Sequence, residues 1–265
     1  MRYLLTAALA AALLAGCSSS ETETAEAAPS YTAAQYNQAV ADIARTDADR
    51  ESDASRMPGE LLAFAQIDKG EVVGDYIMGG GYVTRLLAMA VGANGRVYAF
   101  QPTEFIGFRP EYATEQDATI APYGDTEGNP GRVLPLRASI AEPDFPAGEL
   151  DTIITVNNLH DLYIGAMPEG TATKAIAALF AALKPGGKLV VVDHHAAEGS
   201  GTEAADTLHR IDKQAAIDAL TAAGFQLEEE SDLYSRPADQ RDANVFDEAI
   251  RGQTDQFALR FVKPA

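Results

Sequence analysis

The sequence predicts an α/β domain in which a mostly parallel sheet carries helices on both faces. Three observations point there. From about residue 71 onward, short β-rich runs alternate with helical patterns, the order that builds parallel sheets through helical crossovers. One run ends in Gly79-Gly80-Gly81 and passes directly into a helical stretch at residues 82–88, a strand–turn–helix arrangement that brings backbone close to a ligand. A third run, Leu189-Val190-Val191-Val192, is apolar without interruption, as in a strand buried on both faces.

Taken in order, the chain begins with Met1-Arg2, an apolar run over residues 4–14, and the small residues of Leu14-Ala15-Gly16-Cys17. A positive start, a short apolar segment and a small-residue cleavage site make residues 1–16 a secretory signal. The run falls short of the roughly 20 residues that a membrane-crossing helix needs. Cys17 is the only cysteine. Its context resembles the bacterial lipobox, which implies a diacylglycerol on the sulfur and cleavage just before it. At about 0.8 kcal/mol per buried CH₂, several acyl chains hold a protein on a membrane firmly. The expected location is therefore exported and lipid-anchored, with the domain periplasmic, the membrane touched through the anchor alone, and no internal disulfide.

Residues 18–30 contain Ser, Glu, Thr, Ala and Pro and nothing large and apolar, so they read as a solvated tether. Residues 31–265 are expected to form one domain. Helical patterns occupy residues 31–45 and 50–66, the second interrupted by Pro58, which suits the first turn of a helix over 58–65. The strand candidates are 71–77, 96–102, 132–138, 151–156 and 188–194. Residues 103–131 are the least regular and are expected to cover part of a site.

The clearest helix spans 170–184, with Ala172, Ala175, Ile176, Leu179, Phe180 and Leu183 on one stripe, and it is expected to stop at Pro185-Gly186-Gly187. A second helix over 212–223 ends at Gly224, with Asp212 as its cap. The last run, 256–262, alternates Phe257, Leu259 and Phe261 with polar residues, as an edge or antiparallel strand does.

A net charge of −19 excludes surfaces that track phosphates, so nucleic acid is not an expected partner and a small molecule is. The loop Asn157-Asn158-Leu159-His160-Asp161-Leu162-Tyr163 follows a strand and should project over the same crevice as the glycines. His160 is the candidate catalytic base, with Asp161 to orient it, and Asn157 and Asn158 are candidate positioning groups. The four histidines, His160, His194, His195 and His209, are all expected on one edge of the sheet. Such a group could take a divalent metal, but the spacing matches no compact metal motif, so no metal ligand is assigned.

Four segments together resemble the successive signatures of class I S-adenosylmethionine-dependent methyltransferases: residues 75–82, 91–99, 150–154 and 183–191. The stretches 245–247 and 250–257 are similar to an exported branch of that family. The resemblance implies a Rossmann-like, seven-stranded, mostly parallel sheet with the last strand antiparallel, and S-adenosylmethionine as cofactor. It implies binding of that cofactor by Asp75, Gly79, Gly80, Gly81, Tyr82, Gln101 and Ser139, with Asn157 and Asn158 beside it. Two departures stand out. Ile77 occupies the place of the family's first glycine, and Gln101 replaces the acid that binds the ribose hydroxyls. Ser139 stands where an acid often meets the adenine. The implied function is methyl transfer to a small-molecule acceptor. The alternatives are a non-catalytic ligand-binding lipoprotein on the same frame and a metal-dependent enzyme using the strand-end histidines.

Overall fold

The computed structural model describes residues 30–124 and 131–265. The secretory signal, Cys17 and nearly all of the tether lie outside the described residues. Residues Tyr31–Ala265 form one compact unit. No helix among the described residues is long and apolar enough to cross a membrane.

Seven strands form one sheet in the order β3-β2-β1-β4-β5-β7-β6. They are β1 (Val72–Tyr76), β2 (Arg96–Pro102), β3 (Val133–Ala138), β4 (Leu150–Val156), β5 (Leu183–His194), β6 (Gln226–Ser231) and β7 (Gln256–Val262). Strands β1 to β5 are parallel, and β7 runs antiparallel between β5 and β6. Here the structure refines the expectation for the last strand: β7 is antiparallel but internal, and the exposed, glutamate-rich β6 forms the edge. Charged residues on an edge discourage pairing with another chain.

Strand alternation divides the core in two. Val73, Val97, Ala99, Ile154, Val190 and Ala258 point to one face, where α3 (Pro58–Ala65) and α4 (Tyr82–Ala90) cover them. Tyr76, Phe100, Ile153, Val191, Leu259 and Phe261 point to the other, under α7 (Thr171–Ala182) and α9 (Lys213–Ala222). Pro58 begins α3 as expected, and the Asp212 carboxylate caps α9 by accepting the Gln214 N–H. Residues 31–45 do not form one long helix. They give a 3-10 turn and the short α1 (Asn37–Val40), followed by α2 (Asp47–Arg56), capped by Thr46.

Two further expectations are corrected. The helix expected to reach Lys184 ends at Ala182, and β5 already begins at Leu183, so Pro185-Gly186-Gly187 lies inside a strand. The pairing explains it: Gly186 N–H donates to the Lys263 carbonyl, and Lys263 N–H to that of Gly187. The irregular-looking segment after β2 contains two helices, α5 (Thr103–Phe108) and α6 (Glu111–Ile120).

The strand order reverses beside β1. Chain leaving β1 turns toward β2 and β3, and chain leaving β4 turns toward β5. The carboxyl ends of β1 and β4 therefore diverge, which is where open α/β sheets hold ligands.

Candidate functional site

A cavity of about 1150 Å³ opens at that reversal. Its walls include Asp75, Ile77, Met78, Gly79 and Gly80 from the end of β1, and Val156, Asn157 and Asn158 from the end of β4. The two ends are tied together, since Asn158 Nδ2 donates to the Ile77 carbonyl at 3.1 Å and to its neighbour Val156 at 2.7 Å.

The three glycines differ in what they do. A Cβ built on Gly79 or Gly80 meets nothing within 4 Å. These two leave an open niche on the cavity wall. A Cβ on Gly81 would stand 2.4 Å from Thr119 Oγ1 and 2.7 Å from Arg85 Nη1, so Gly81 serves packing instead. Arg85 holds this turn from behind. Its guanidinium pairs with the buried Asp49 carboxylate at 2.6 and 2.7 Å and donates to Thr119 and to the Gly80 carbonyl. Tyr82 lines the cavity, and its hydroxyl donates to Asp53.

Ile77 has φ +67°, a left-handed conformation that a β-branched residue rarely adopts. The backbone thus keeps the shape that a glycine would take there. The isoleucine side chain is 3 % exposed and packs into the second core cluster. It is seated below the niche and leaves Gly79 and Gly80 open.

Asp75 is buried and accepts a hydrogen bond from Thr84 Oγ1 at 2.5 Å. Burial raises its pKa to about 6 against that bond. Gln101 is fully buried, does not line the cavity, and neither end of its amide has a partner among the described residues. Ser139 likewise stays out of the cavity walls. Its hydroxyl donates to Glu104 Oε1, and the Ile140 N–H donates to Oε2 of the same carboxylate.

The far end of the cavity carries His160, Asp161, His194 and His209. His160 sits in the turn after β4, 3 % exposed. The residue that orients it is Asp193, at the end of β5, and this corrects the expectation for Asp161. Asp193 Oδ1 lies 2.7 Å from His160 Nδ1 while Oδ2 accepts the His160 backbone N–H at 2.8 Å. It also accepts the His194 N–H, so three donors converge on one buried carboxylate. That assigns the proton to Nδ1 and leaves Nε2 facing Asp161 Oδ1 at 3.4 Å.

The electrostatics follow from this placement. Burial opposes charge on His160, but Asp193 outweighs it and holds the imidazole above its ordinary pKa. Asp193 is correspondingly held low despite its burial. Burial pushes Asp161 up to about 6 and His194 down to about 4. His194 Nδ1 shares a hydrogen bond with Thr254 Oγ1 at 2.9 Å.

His195 departs from the expectation that all four histidines share one edge. It follows His194 on the same strand end, so its side chain leaves from the opposite face and lines a separate cavity with Arg241 and Asp255. α5, α6 and the link between them add Phe105, Phe108, Arg109 and Tyr112 to the cavity wall, and the C-terminal segment adds Phe246. The expectation that residues 103–131 cover part of a site matches the placement of Phe105, Phe108 and Tyr112 on the cavity wall; the sequence did not indicate Phe246.

No family model and no curated protein sequence matches the chain. Solved structures do match in three dimensions. An S-adenosylmethionine-dependent methyltransferase from Aquifex aeolicus superposes with TM-score 0.53 at 17 % identity, over 81 % of this chain and 95 % of that one. The fold is that of the S-adenosylmethionine-dependent methyltransferases. The methyltransferase fold is shared by the Burkholderia thailandensis 1,6-didemethyltoxoflavin-N1-methyltransferase, solved with S-adenosylhomocysteine bound, at TM-score 0.51 and 15 % identity over 83 % and 82 % of the two chains. It is shared too by the [4+2]-cyclase SpnF, at TM-score 0.53 and 18 % identity over 80 % and 81 %. A methyltransferase fold therefore hosts more than one reaction, and chemistry must be argued from the site.

Proposed function

We propose that this chain binds S-adenosylmethionine against Gly79 and Gly80 and directs methyl transfer to a small-molecule acceptor held by the loop after β4. The observation that carries the reading is the open niche over Gly79 and Gly80, in the wall of a cavity at the strand-order reversal that Asp75 also lines. The volume of about 1150 Å³ accommodates a nucleoside and a second small molecule, since single-ligand pockets run from about 300 to 1,000 Å³.

When bound, S-adenosylmethionine supplies an electrophilic methyl group on a sulfonium sulfur. The protein's own residues do the rest. Gly79 and Gly80 let a flat nucleoside lie on the main chain, and Arg85 and Asn158 fix that turn from both sides. The Asp75 and Asp161 carboxylates favour a cationic ligand. Gln101, in the place of the ribose-binding acid, brings an unpaired amide beside the turn, where Met78 N–H donates to the Phe100 carbonyl. On the acceptor side, His160 has its Nδ1 committed to Asp193, so Nε2 is the atom able to receive an acceptor's proton.

Isothermal titration of the full chain with S-adenosylhomocysteine tests this reading, and micromolar binding is expected. No heat with either the donor or its demethylated product would instead support a ligand-binding lipoprotein on this frame, a reading favoured by the neutral Gln101. The cellular placement belongs to the same proposal: the chain is exported and anchored through Cys17. Cys17→Ser should then leave an unlipidated precursor that labelled palmitate does not mark.

A further inference from the structure

We propose that His160, Asp161 and His209 form a binding site for a divalent transition-metal ion at the acceptor end of the cavity. One ligand atom from each of the three lies within 4.8 Å of the others. Asp161 Oδ1 stands 3.4 Å from His160 Nε2 and 3.9 Å from His209 Nδ1. Two donors about 2.1 Å from a tetrahedral ion stand about 3.4 Å apart, so the first pair already has that spacing and the second needs only a small side-chain rotation.

The supporting groups are those of a metal site. A histidine that ligates through one nitrogen commonly donates its other N–H to a carboxylate, which fixes the tautomer and raises ligand basicity. Asp193 does this for His160 at 2.7 Å, from a fully buried position with two further donors on it. His209 is brought in by strained backbone, at φ +54° just after α8 (Ala205–Leu208). Its ring stands perpendicular to that of His160, with centroids 5.4 Å apart, and packs on its other side against Phe246 at 4.9 Å. Strain of this kind persists where the surroundings hold it.

Two imidazoles and one carboxylate suit zinc or ferrous iron better than magnesium or calcium, which prefer oxygen donors. Three protein ligands leave coordination positions open toward the cavity, the arrangement of catalytic rather than structural sites. Within the methyl-transfer reading, on which this last step rests, such an ion selects an acceptor that coordinates through oxygen or sulfur. His160 then serves as ligand and not as base.

Titration of the purified full chain with zinc, in the absence of any methyl donor, reads the ion site directly. One equivalent of zinc should bind and magnesium should not. His209→Ala and Asp193→Asn should each weaken zinc binding by about 10- to 100-fold. His195→Ala, which alters the separate cavity, should leave zinc affinity unchanged. Thermal melting without metal shows whether each variant folds, and His209→Gln supplies a milder change at the half-exposed ligand. Zinc affinity that survives His209→Ala and Asp161→Asn in folded protein overturns the site. Retained zinc binding with no binding of S-adenosylhomocysteine would overturn the methyl-transfer reading and leave the ion site standing.

Discussion

Substituting the three turn glycines one at a time should separate folding from ligand binding. Gly80 does not have a positive φ, and a Cβ there meets nothing within 4 Å. Gly80→Val should therefore change stability by no more than about 0.5 kcal/mol, as for an unconstrained surface site. Its two methyl groups fill the niche, so affinity for S-adenosylhomocysteine should drop by more than tenfold. Gly81→Ala should do the reverse. At φ +84° an alanine costs about 1–2 kcal/mol of left-handed strain. Its Cβ also displaces the Thr119 hydroxyl from the Arg85 guanidinium, and leaving that buried donor unpaired costs about 1–3 kcal/mol more. The sum is about 2–5 kcal/mol, before any disturbance of the buried Asp49–Arg85 pair. Gly79→Val combines both effects, since its φ is +53° and its Cβ faces open space. Urea denaturation measures the stabilities, and calorimetry the affinities of the folded fraction. A folded Gly80→Val that binds S-adenosylhomocysteine as tightly as the parent refutes the niche as the binding surface.

Three other outcomes are expected. Glu71 is partly buried beside Lys188 at 3.8 Å, and its burial raises its pKa from 4.5 to about 7. An acid whose folded pKa is raised binds more protons folded than unfolded, so the stability contribution is greatest below pH 4.5 and is lost as pH rises to about 7. The 2.5-unit rise corresponds to at most about 3 kcal/mol at 1.36 kcal/mol per unit. Glu71→Gln should flatten the pH 5–7 stability profile relative to the parent, and an unchanged slope would remove Glu71 as its source. Gln101→Leu removes two unpaired buried polar atoms and should raise stability by about 1 kcal/mol in urea unfolding. Affinity for S-adenosylhomocysteine should stay unchanged, because Gln101 lies outside the cavity walls; a loss of affinity would mean that the amide reaches the ligand. At Ile77, glycine should be more stable than alanine by about 1 kcal/mol, because φ +67° strains any residue with a Cβ. The opposite order in thermal melts would mean that the turn relaxes.

The sheet was legible in the sequence because its strands are bounded by residues that cannot continue them. β2 runs from Arg96 to Pro102 and β7 from Gln256 to Val262, as the alternation indicates. The start of β5 was not legible. Pro185-Gly186-Gly187 has the composition of a turn, and only pairing with residues beyond β7 keeps it in the sheet. α5 and α6 escaped notice because their aromatic residues line the cavity and do not form a stripe facing the core.

Within the site, the glycine turn at Gly79 and Gly80 followed from the strand–turn–helix pattern, whereas Asp75 came from the family resemblance alone. Gly81 shares that pattern but packs inward, a difference set by Thr119 and Arg85 on neighbouring elements. Asp193 was visible as a polar residue at a strand end. Its partner is 33 residues away in sequence and comes from the turn after the adjacent strand, β4, so nothing local marked it as the group that orients His160. Period-two alternation could have separated His194 from His195, since consecutive strand residues face opposite ways.

The central claim is that a nucleoside lies on the main chain where β1 passes into α4. A crystal structure of the full chain with S-adenosylhomocysteine tests it most directly. Density is expected along Gly79 and Gly80, with the amino-acid end near Asp75 and the sulfur directed toward Asn158 and His160. Density lodged elsewhere, or none at saturating ligand, would contradict it.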